Sequence, residues 1–477
     1  IPTDGVVVEG ISDINESIAT GESKPVPKKP ASEVIAGTIN GDGTLKIKVT
    51  NIGEKTFLAG VMRLVSEAQS SKSRLQMLSD RAAYYLTIIA VVVGGITLAS
   101  WLVVADTAFA VRRMVAVLVI ACPHALGLAI PLVASISTAK AAQNGFLVKQ
   151  RLALEAARNI DVVLFDKTGT LTKGEFGVDT IIPTSKDGEE KVLQYAASVD
   201  SQSEHPIARA VVEEAKKRKF QTPPAKNFQR IAGKGAKAHI EGLDVFVGSQ
   251  ILLSDLKLSL DSQTKNEIDK LSAQGKTIIF VVAGSSLLGA IALSDIIREE
   301  SREAVKSLRD FGIKTAMITG DAEDVAKWVA EELGIDEYFA RVLPEQKSEK
   351  VKLLQAKGQK VAMVGDGVND APALTQADLG IAIGAGTNVA IESAGIILVR
   401  DDPRDIPKII KLSRLTYTKM IQNLFWATGY NIVAIPLAAG VLAFKGIFLQ
   451  PALAAVFMSL STIMVAVNAI MLRKKKI

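Results

Sequence analysis

Four stretches of this chain contain no Lys, Arg, Asp or Glu: residues 82–104, 114–138, 424–444 and 446–472. Each reaches the ~20 apolar residues that a membrane-spanning helix needs, where a buried core helix is ordinarily shorter. The first two are joined by the short ADTAFAVRR and the last two by little more than Lys445. The pattern therefore predicts two hairpins, with residues 1–81, 139–423 and 473–477 on one side. Arg74, Arg81, Lys140, Lys149, Arg151, Lys419 and the terminal RKKK mark that side as cytoplasmic, and Arg112 and Arg113 are outnumbered dissenters.

Between these stretches the period changes. From residue 1 to 72, short apolar runs alternate with Gly turns (GVVVEG, VIAGTINGDG, TLKIKVTNIG), which predicts a small β-rich domain. Ile1 begins abruptly inside such a run, with no initiator Met or signal peptide, so upstream parts are expected to be missing. Residues 139–422 alternate strands with helical patterns, the mark of an α/β domain. Within them, 180–290 reads as an inserted α+β unit with strands of its own (AHIEGLDVFVGS, TIIFVVAG) and a TPP breaker. The expected division is 1–72, a hairpin over 73–138, an α/β domain in two parts (139–179 and 291–410) around the insert 180–290, and a second hairpin over 411–477.

Composition agrees with a membrane protein carrying soluble domains: 48% of residues are hydrophobic, yet 22% are charged. A single cysteine excludes an intrachain disulfide framework. The net charge of +6 suggests nucleic acid at first, but the basic residues are scattered. They cluster only at 473–476, beside a span, so a juxtamembrane anchor is the better reading and no nucleic-acid partner is expected.

Three short apolar runs stop abruptly at polar groups. DVVLF leads into Asp166-Lys167-Thr168-Gly169-Thr170, IKTAMI into Thr319-Gly320-Asp321, and VAMV into Gly365-Asp366-Gly367-Val368-Asn369-Asp370. Buried parallel strands look like this, and open α/β sheets carry their chemistry just past the carboxyl ends of the strands. The set suits phosphoryl transfer. Asp166 can attack a phosphoryl group, Asp366 can share a Mg²⁺, and Thr319 can donate to the phosphoryl oxygens. Lys347, which opens a helical pattern in RVLPEQKSE, is the candidate for a fixed positive charge.

DKTGTLT, TGD and GDGVNDAPAL, in that order, resemble the phosphorylation domain of P-type ATPases, a haloacid-dehalogenase-like fold. The resemblance implies that ATP phosphorylates Asp166, and that Asp166, Asp366 and the Thr168 carbonyl hold Mg²⁺ with Asn369 and Asp370 in support. Phosphatases of that fold carry a general acid–base Asp where this chain has Thr168, so the aspartyl phosphate should persist until another group activates water. Thr20-Gly21-Glu22-Ser23 resembles the dephosphorylation loop of the family's actuator domain, which makes Glu22 that group. In the insert, SEHP and AGKGA resemble the nucleotide motifs of heavy-metal pumps. They imply Glu204 and His205 near adenine, Gly233 and Gly235 where backbone approaches the nucleotide, and Asp321 beside the cofactor. No Walker A lysine loop is present, so a P-loop ATPase is not supported.

The stretch 114–138 contains Ala121-Cys122-Pro123-His124-Ala125. In a regular helix Cys122 and His124 point about 200° apart. Pro123 has no N–H for the Val119 carbonyl, so the helix should kink or unwind there and let both face one cavity. Sulfur with imidazole selects copper- or zinc-like ions over those that want oxygen. The later spans offer Tyr430, Asn431, Met458, Ser459, Ser461, Thr462 and Asn468, with Met458, Ser461 and Thr462 on one helix face. No Asp, Glu or mid-span Lys appears, such as the resemblance would imply for a zinc- or cadmium-pumping relative, and a thioether with a thiolate favours Cu⁺ or Ag⁺; the imidazole leaves Cu²⁺ open. The pattern resembles the copper branch of heavy-metal P-type ATPases, in the Cys-Pro-His subgroup.

The resulting expectation is ATP-driven copper export through an aspartyl phosphate, with ATP and Mg²⁺ as cofactors. The partners are the lipid bilayer and a copper ion delivered by a chaperone, and the setting is a prokaryotic cell membrane with cytoplasmic catalytic domains. The competing readings are a Zn²⁺ or Co²⁺ exporter and a membrane-anchored phosphatase.

Overall fold

The structure is a computed structural model, and it describes all residues except 16–25, 42, 57–58, 60–73, 185–187, 204, 232–233, 367–368 and 385–392. It divides into two units: Ile1–Asp161, Gln355–Met363 and Ala373–Ile477 form one, Val162–Leu354 and Val364–Pro372 the other.

The first unit opens with short strands. Asp4–Gly10 pairs antiparallel with Leu45–Asn51 on one side and Glu33–Val34 on the other, around Val7, Ile14 and Val34. Long apolar helices follow. Arg74–Val104 is one continuous helix. The second apolar stretch is two helices, Thr107–Ile120 and His124–Gln143, separated at Cys122. The break has the cause that the proline predicts. Lacking a donor at Pro123, the Val119 carbonyl accepts from the Cys122 N–H at 3.3 Å, and the next helix starts afresh with Gly127 N–H on the Pro123 carbonyl.

The stretch 424–444 is not the single spanning helix that its hydropathy predicts. Helix Asp405–Thr428 stops at Gly429, Asn431–Ala439 continues with Pro436 inside it, and Gly440 ends that helix at φ +92°. Counting uncharged residues misses such breaks, because Gly and Pro interrupt a helix without adding charge. Pro451–Lys474 follows as one helix. Among the described residues, three helical stretches are long and apolar enough to cross a membrane: Arg74–Val104, Thr107–Gln143 and Pro451–Lys474. The two dissenting arginines lie on Thr107–Ile120. Arg113 is buried, with Nη1 donating to the Leu449 carbonyl at 2.9 Å and its guanidinium over the rings of Phe109 and Phe448. That arginine is held by contacts within the bundle rather than by a cytoplasmic surface.

In the second unit, strand Val162–Asp166 pairs in parallel with Lys314–Ile318, which pairs in parallel with Glu337–Phe339. Val163, Leu164 and Phe165 are fully buried. A strand covered on both faces gains ~1.5–3 kcal/mol per large side chain, which holds its carboxyl end in place. A six-stranded antiparallel sheet completes the unit, and its long strands Thr172–Pro183 and Ser286–Ile297 pair with each other. Helices Gly188–Asp200 and Pro206–Lys217 cover it through Val192, Leu193, Val199 and Val211.

Candidate active site and transport site

Strand Val162–Asp166 ends on the carboxylate that the sequence singles out. Asp166 Oδ1 accepts from Lys347 Nζ at 2.7 Å, and the same ammonium donates to Asp370 Oδ1 at 2.6 Å. All three side chains are buried. Burial and the charge of Asp370 push Asp166 up to about 7, against the pull of Lys347. Burial works against the Lys347 charge as well, yet Asp166 and Asp370 outweigh it and raise the ammonium above its ordinary range. Lys347 is thus a permanent cation between two acids.

The loop after Asp166 turns at Gly169, φ +75°, where a Cβ would come within 2.8 Å of Asp366 Oδ2. Gly365 is equally confined, since a Cβ there would lie 2.3 Å from Asp370 Oδ2. Asp366 therefore stands against the Asp166 loop, and Asp370 is pressed against its own strand end. Thr319 is buried, with Oγ1 accepting from the Asp321 N–H at 3.1 Å. Thr168 has an extended backbone and an exposed side chain.

Two carboxylates thus share one ammonium, the Asp366 charge adds to the push on Asp166, and Asp370 Oδ2 is buried with no hydrogen-bond donor. Such a surplus of oxygen fits a hard divalent cation such as Mg²⁺.

Asp321 is engaged differently from the other strand-end acids. It pairs with Lys167 at 2.7 Å, and Lys167 also reaches Asp295 at 3.4 Å. Asp295 accepts from Thr172 Oγ1 and the Gly174 N–H, while Arg298 donates to the carbonyls of Gly169 and Thr172. These groups tie down the loop that follows Asp166. Sequence reasoning gave Lys167 no role and missed Asp295 and Arg298; the available signal for those two was the SDIIR that ends an apolar strand run.

A cavity of about 670 Å³ lies against the antiparallel sheet, lined among others by Asp200, His205, Phe228, Lys234, Gly235 and Ser249. His205 caps helix Pro206–Lys217 by accepting the Ile207 N–H on Nδ1, which fixes the ring and leaves the proton on Nε2. Gly235 has φ +149°, and a Cβ there would sit 2.1 Å from the Val247 carbonyl. Only glycine lets the two strands close at that point. Asp200 and Ser249 are cavity groups that the sequence did not reveal. Burial alone pushes Asp200 up to about 7, and Ser249 Oγ is buried without a partner. Glu204 and Gly233 lie outside the described residues, as do Thr20, Gly21 and Glu22.

In the first unit, the helix that starts after the break packs on Asp405–Thr428 and Pro451–Lys474 through Ala125, Leu126 and Ala129, against Ala427 and Val465. The Tyr430 hydroxyl donates to the Ile120 carbonyl at 3.5 Å, two residues before Cys122. Ser461 Oγ donates to the Trp426 carbonyl, and Thr462 Oγ1 to the Met458 carbonyl of its own helix. Asn431 is 3% exposed, and neither its amide oxygen nor its amide nitrogen has a partner. A buried amide left unmatched in an apolar bundle costs roughly 1–3 kcal/mol per group and calls for a ligand. Cys122 and His124 are both exposed, His124 as the first residue of its helix, and Met458 is half-buried. The geometry thus sets Tyr430 against the turn that precedes Cys122, with Asn431 one residue on. Among the described residues no three His, Cys, Asp or Glu side chains cluster as a metal site.

Two family models match: a P-type ATPase actuator domain over residues 1–66 and a haloacid dehalogenase-like hydrolase over residues 160–378. The chain is 56% identical over 474 residues to the copper-exporting P-type ATPase B of Archaeoglobus fulgidus, covering 99% of this chain and 68% of that protein. It belongs to the P-type ATPase family.

A probable copper-transporting P-type ATPase B of Staphylococcus epidermidis is 46% identical over 477 residues, 100% of this chain and 70% of that protein. Among solved structures, a zinc-transporting PIB-type ATPase in the E2.Pi state aligns with a TM-score of 0.71 at 31% identity, covering 99% of this chain and 76% of that one. In this P-type ATPase the actuator-domain match spans the β-rich start, and the hydrolase match contains both Asp166 and Asp370.

Proposed function

We propose that this P-type ATPase exports copper, using ATP to phosphorylate Asp166. The Asp166 carboxylate attacks the terminal phosphorus of ATP; the new acyl–phosphate bond forms as the bond to ADP breaks and its electron pair leaves with ADP. Lys347 holds a fixed positive charge beside the oxygen that attacks, and Thr319 lies at the neighbouring strand end to donate to the phosphoryl group. Asp166, Asp366 and the Thr168 carbonyl, supported by Asp370, would hold Mg²⁺, whose charge neutralises phosphoryl oxygens. His205, Gly235 and Asp200 bind the nucleotide, together with Glu204 and Gly233; Asp321 acts through Lys167 on the Asp166 loop. Because Thr168 cannot serve as a base, the acyl phosphate waits for Glu22, which with Thr20 and Gly21 orients the water that cleaves it. The domain division expected from the sequence is kept in this reading.

The cargo site is built from Cys122, Tyr430, Asn431, Met458, Ser461 and Thr462, with His124 at its edge. The observation that carries it is the unpartnered amide of Asn431, next to Tyr430, whose hydroxyl donates to the Ile120 carbonyl at the helix break. A thiol and a thioether with no carboxylate favour Cu⁺ over Zn²⁺, and leave Ag⁺ and Cu²⁺ to be separated by experiment. The relatives named for copper export support the same cargo, whereas the zinc-transporting neighbour is less similar in sequence. The same reading has the protein in the cell membrane of a prokaryote, soluble parts cytoplasmic, and its ion delivered by a chaperone.

The deciding experiment is a metal screen of ATPase activity in reconstituted protein, with Cu⁺, Ag⁺, Cu²⁺, Zn²⁺ and Co²⁺. Cu⁺ should stimulate most strongly and Cys122→Ala should remove the stimulation. Stimulation by Zn²⁺ alone would overturn the cargo, and metal-independent hydrolysis would favour a membrane-anchored phosphatase.

A further inference from the structure

The seam between Asp405–Thr428 and Pro451–Lys474 continues toward the cytoplasm through polar groups that the reaction above does not use. Lys419 Nζ donates to Asn468 Oδ1 at 2.6 Å, Asn468 Nδ2 donates to Asn423 Oδ1 at 2.7 Å, and Asn423 Nδ2 donates to the Ala129 carbonyl at 3.0 Å. Three helices are joined by this one chain of hydrogen bonds. Asn423 is fully buried, and Lys419 and Asn468 are half-buried. Among the described residues the Lys419 ammonium pairs with an amide oxygen and with no carboxylate.

These groups are in line with the cargo site. Lys419, Asn423, Trp426 and Tyr430 recur at helical spacing, and Gly429 and Tyr430 keep helical backbone angles through the break. On the facing helix Asn468, Val465, Ser461 and Met458 recur in the same way. A turn closer to the cytoplasm, the Ser137 and Thr416 hydroxyls share a hydrogen bond of 2.6 Å beside a cavity of about 30 Å³, room for about one water. Polar groups therefore recur on the facing helix surfaces from that cavity past Lys419 to Tyr430, within an otherwise apolar bundle.

An ammonium without a counter-charge is a costly thing to keep beside a membrane seam, and such groups are functional by default. Its flexible stem lets the head swing to water while the carbons stay packed. We propose that Lys419 is a tethered cation that plugs the cytoplasmic half of the ion path. Its ammonium rests on the amide oxygen that an incoming cation must pass, swings out to admit that ion, and returns behind it to bar back-flow. The proposal rests on the reading of Cys122 and its neighbours as the cargo site. Tyr430 is eleven residues along the helix from Lys419, about 16 Å. At an effective dielectric of ~20, two unit charges at that range repel enough to change ion affinity about sixfold.

The test uses the full chain in sealed vesicles, with ions moved per ATP, passive leak of preloaded Cu⁺ and the half-activating Cu⁺ concentration as readouts. Lys419→Met should lower the transport-to-ATP ratio at least twofold, raise the leak, and lower the half-activating concentration about sixfold. Lys419→Arg should preserve all three. If Lys419→Met does not fold, Asn468→Ala, which removes the resting place and leaves the charge, should raise the leak in the same way. An unchanged ratio and leak in the folded Lys419→Met variant, or in Asn468→Ala where that substitutes for it, would overturn the plug. Cys122→Ala separates the two readings. If Cu⁺ still stimulates that variant, the cargo site is wrong; if stimulation is lost while Lys419→Met behaves as parent, only the plug is wrong.

Discussion

Replacing Lys347 by methionine keeps an unbranched apolar stem, one atom shorter, and removes the ammonium with its charge and its two hydrogen bonds. The ammonium lies 2.7 Å from Asp166 Oδ1 and 2.6 Å from Asp370 Oδ1, and the residue is 7% exposed. Each charge-assisted contact is worth ~1.5–3 kcal/mol, so the two together contribute about 3–6 kcal/mol. Taking one member from a buried ion pair independently costs about 3–5 kcal/mol, in the same range. At 1.36 kcal/mol per decade, phosphorylation of Asp166 should slow by a factor of about 10²–10⁴. Rapid-quench phosphorylation with radiolabelled ATP on the intact protein measures it directly. Nucleotide affinity is the internal control, because the cavity around His205 and Gly235 keeps its lining. Lys347→Arg should rescue little, since the planar fork does not fit where a compact ammonium sits between two acids. A Lys347→Met phosphorylation rate within threefold of the parent would refute the argument.

Asp200 supplies a pH test. Burial raises it from 3.8 to about 7, so the fold disfavours its charged form. The cost is absent below about pH 4, grows as pH rises to about 7 and stays constant above, reaching at most ~4 kcal/mol. Asp200→Asn should therefore resist urea better than the parent at pH 8 but not at pH 4, read as proteolysis within Gly188–Lys217; equal behaviour at pH 8 would reject a buried acid there. Asp166→Asn should form no phosphoenzyme, whereas Glu22→Ala should accumulate it, and rapid turnover in the Glu22 variant would remove that residue from the mechanism.

What the sequence made legible depended on how local the cause was. The strand ends at Asp166, Thr319 and Asp366 could be read because a run of buried β-branched residues followed by a carboxylate or hydroxyl is a local pattern. The break at Pro123 was legible for the same reason, a missing donor being a property of one residue. The interruption at Gly429 and Pro436 was not, because hydropathy averages over it. Asp200 was hidden more deeply: it ends an amphipathic helix, where an acid ordinarily faces water, and only the strands bearing Gly235 and Ser249 turn that position into a cavity wall. Lys167, Asp295 and Arg298 are similar, since a pair separated by 128 residues has no signature until both strands are laid side by side.

Helix Asp405–Thr428 connects these observations. Its first residue is fully buried and held by Arg400 at 2.7 Å and Lys408 at 2.6 Å. From there polar ties recur at nearly every second turn: Ser413 to the Leu154 carbonyl, Thr416 to Ser137, Asn423 to the Ala129 carbonyl, and the Trp426 carbonyl to Ser461. Two residues past its end, Tyr430 donates to the Ile120 carbonyl, two residues before Cys122. A helix of ~36 Å fastened along its length moves as a body rather than bending at one point. Strand Ile396–Leu398 leads through Arg400 directly into it. A displacement entering at Arg400 is therefore felt both at Asn423, which supports the Lys419 amide chain, and at Tyr430, which holds the Ile120 carbonyl before Cys122. One rigid element thus reaches the proposed cytoplasmic plug and the cargo site together, so closing the first and opening the second need no separate signals.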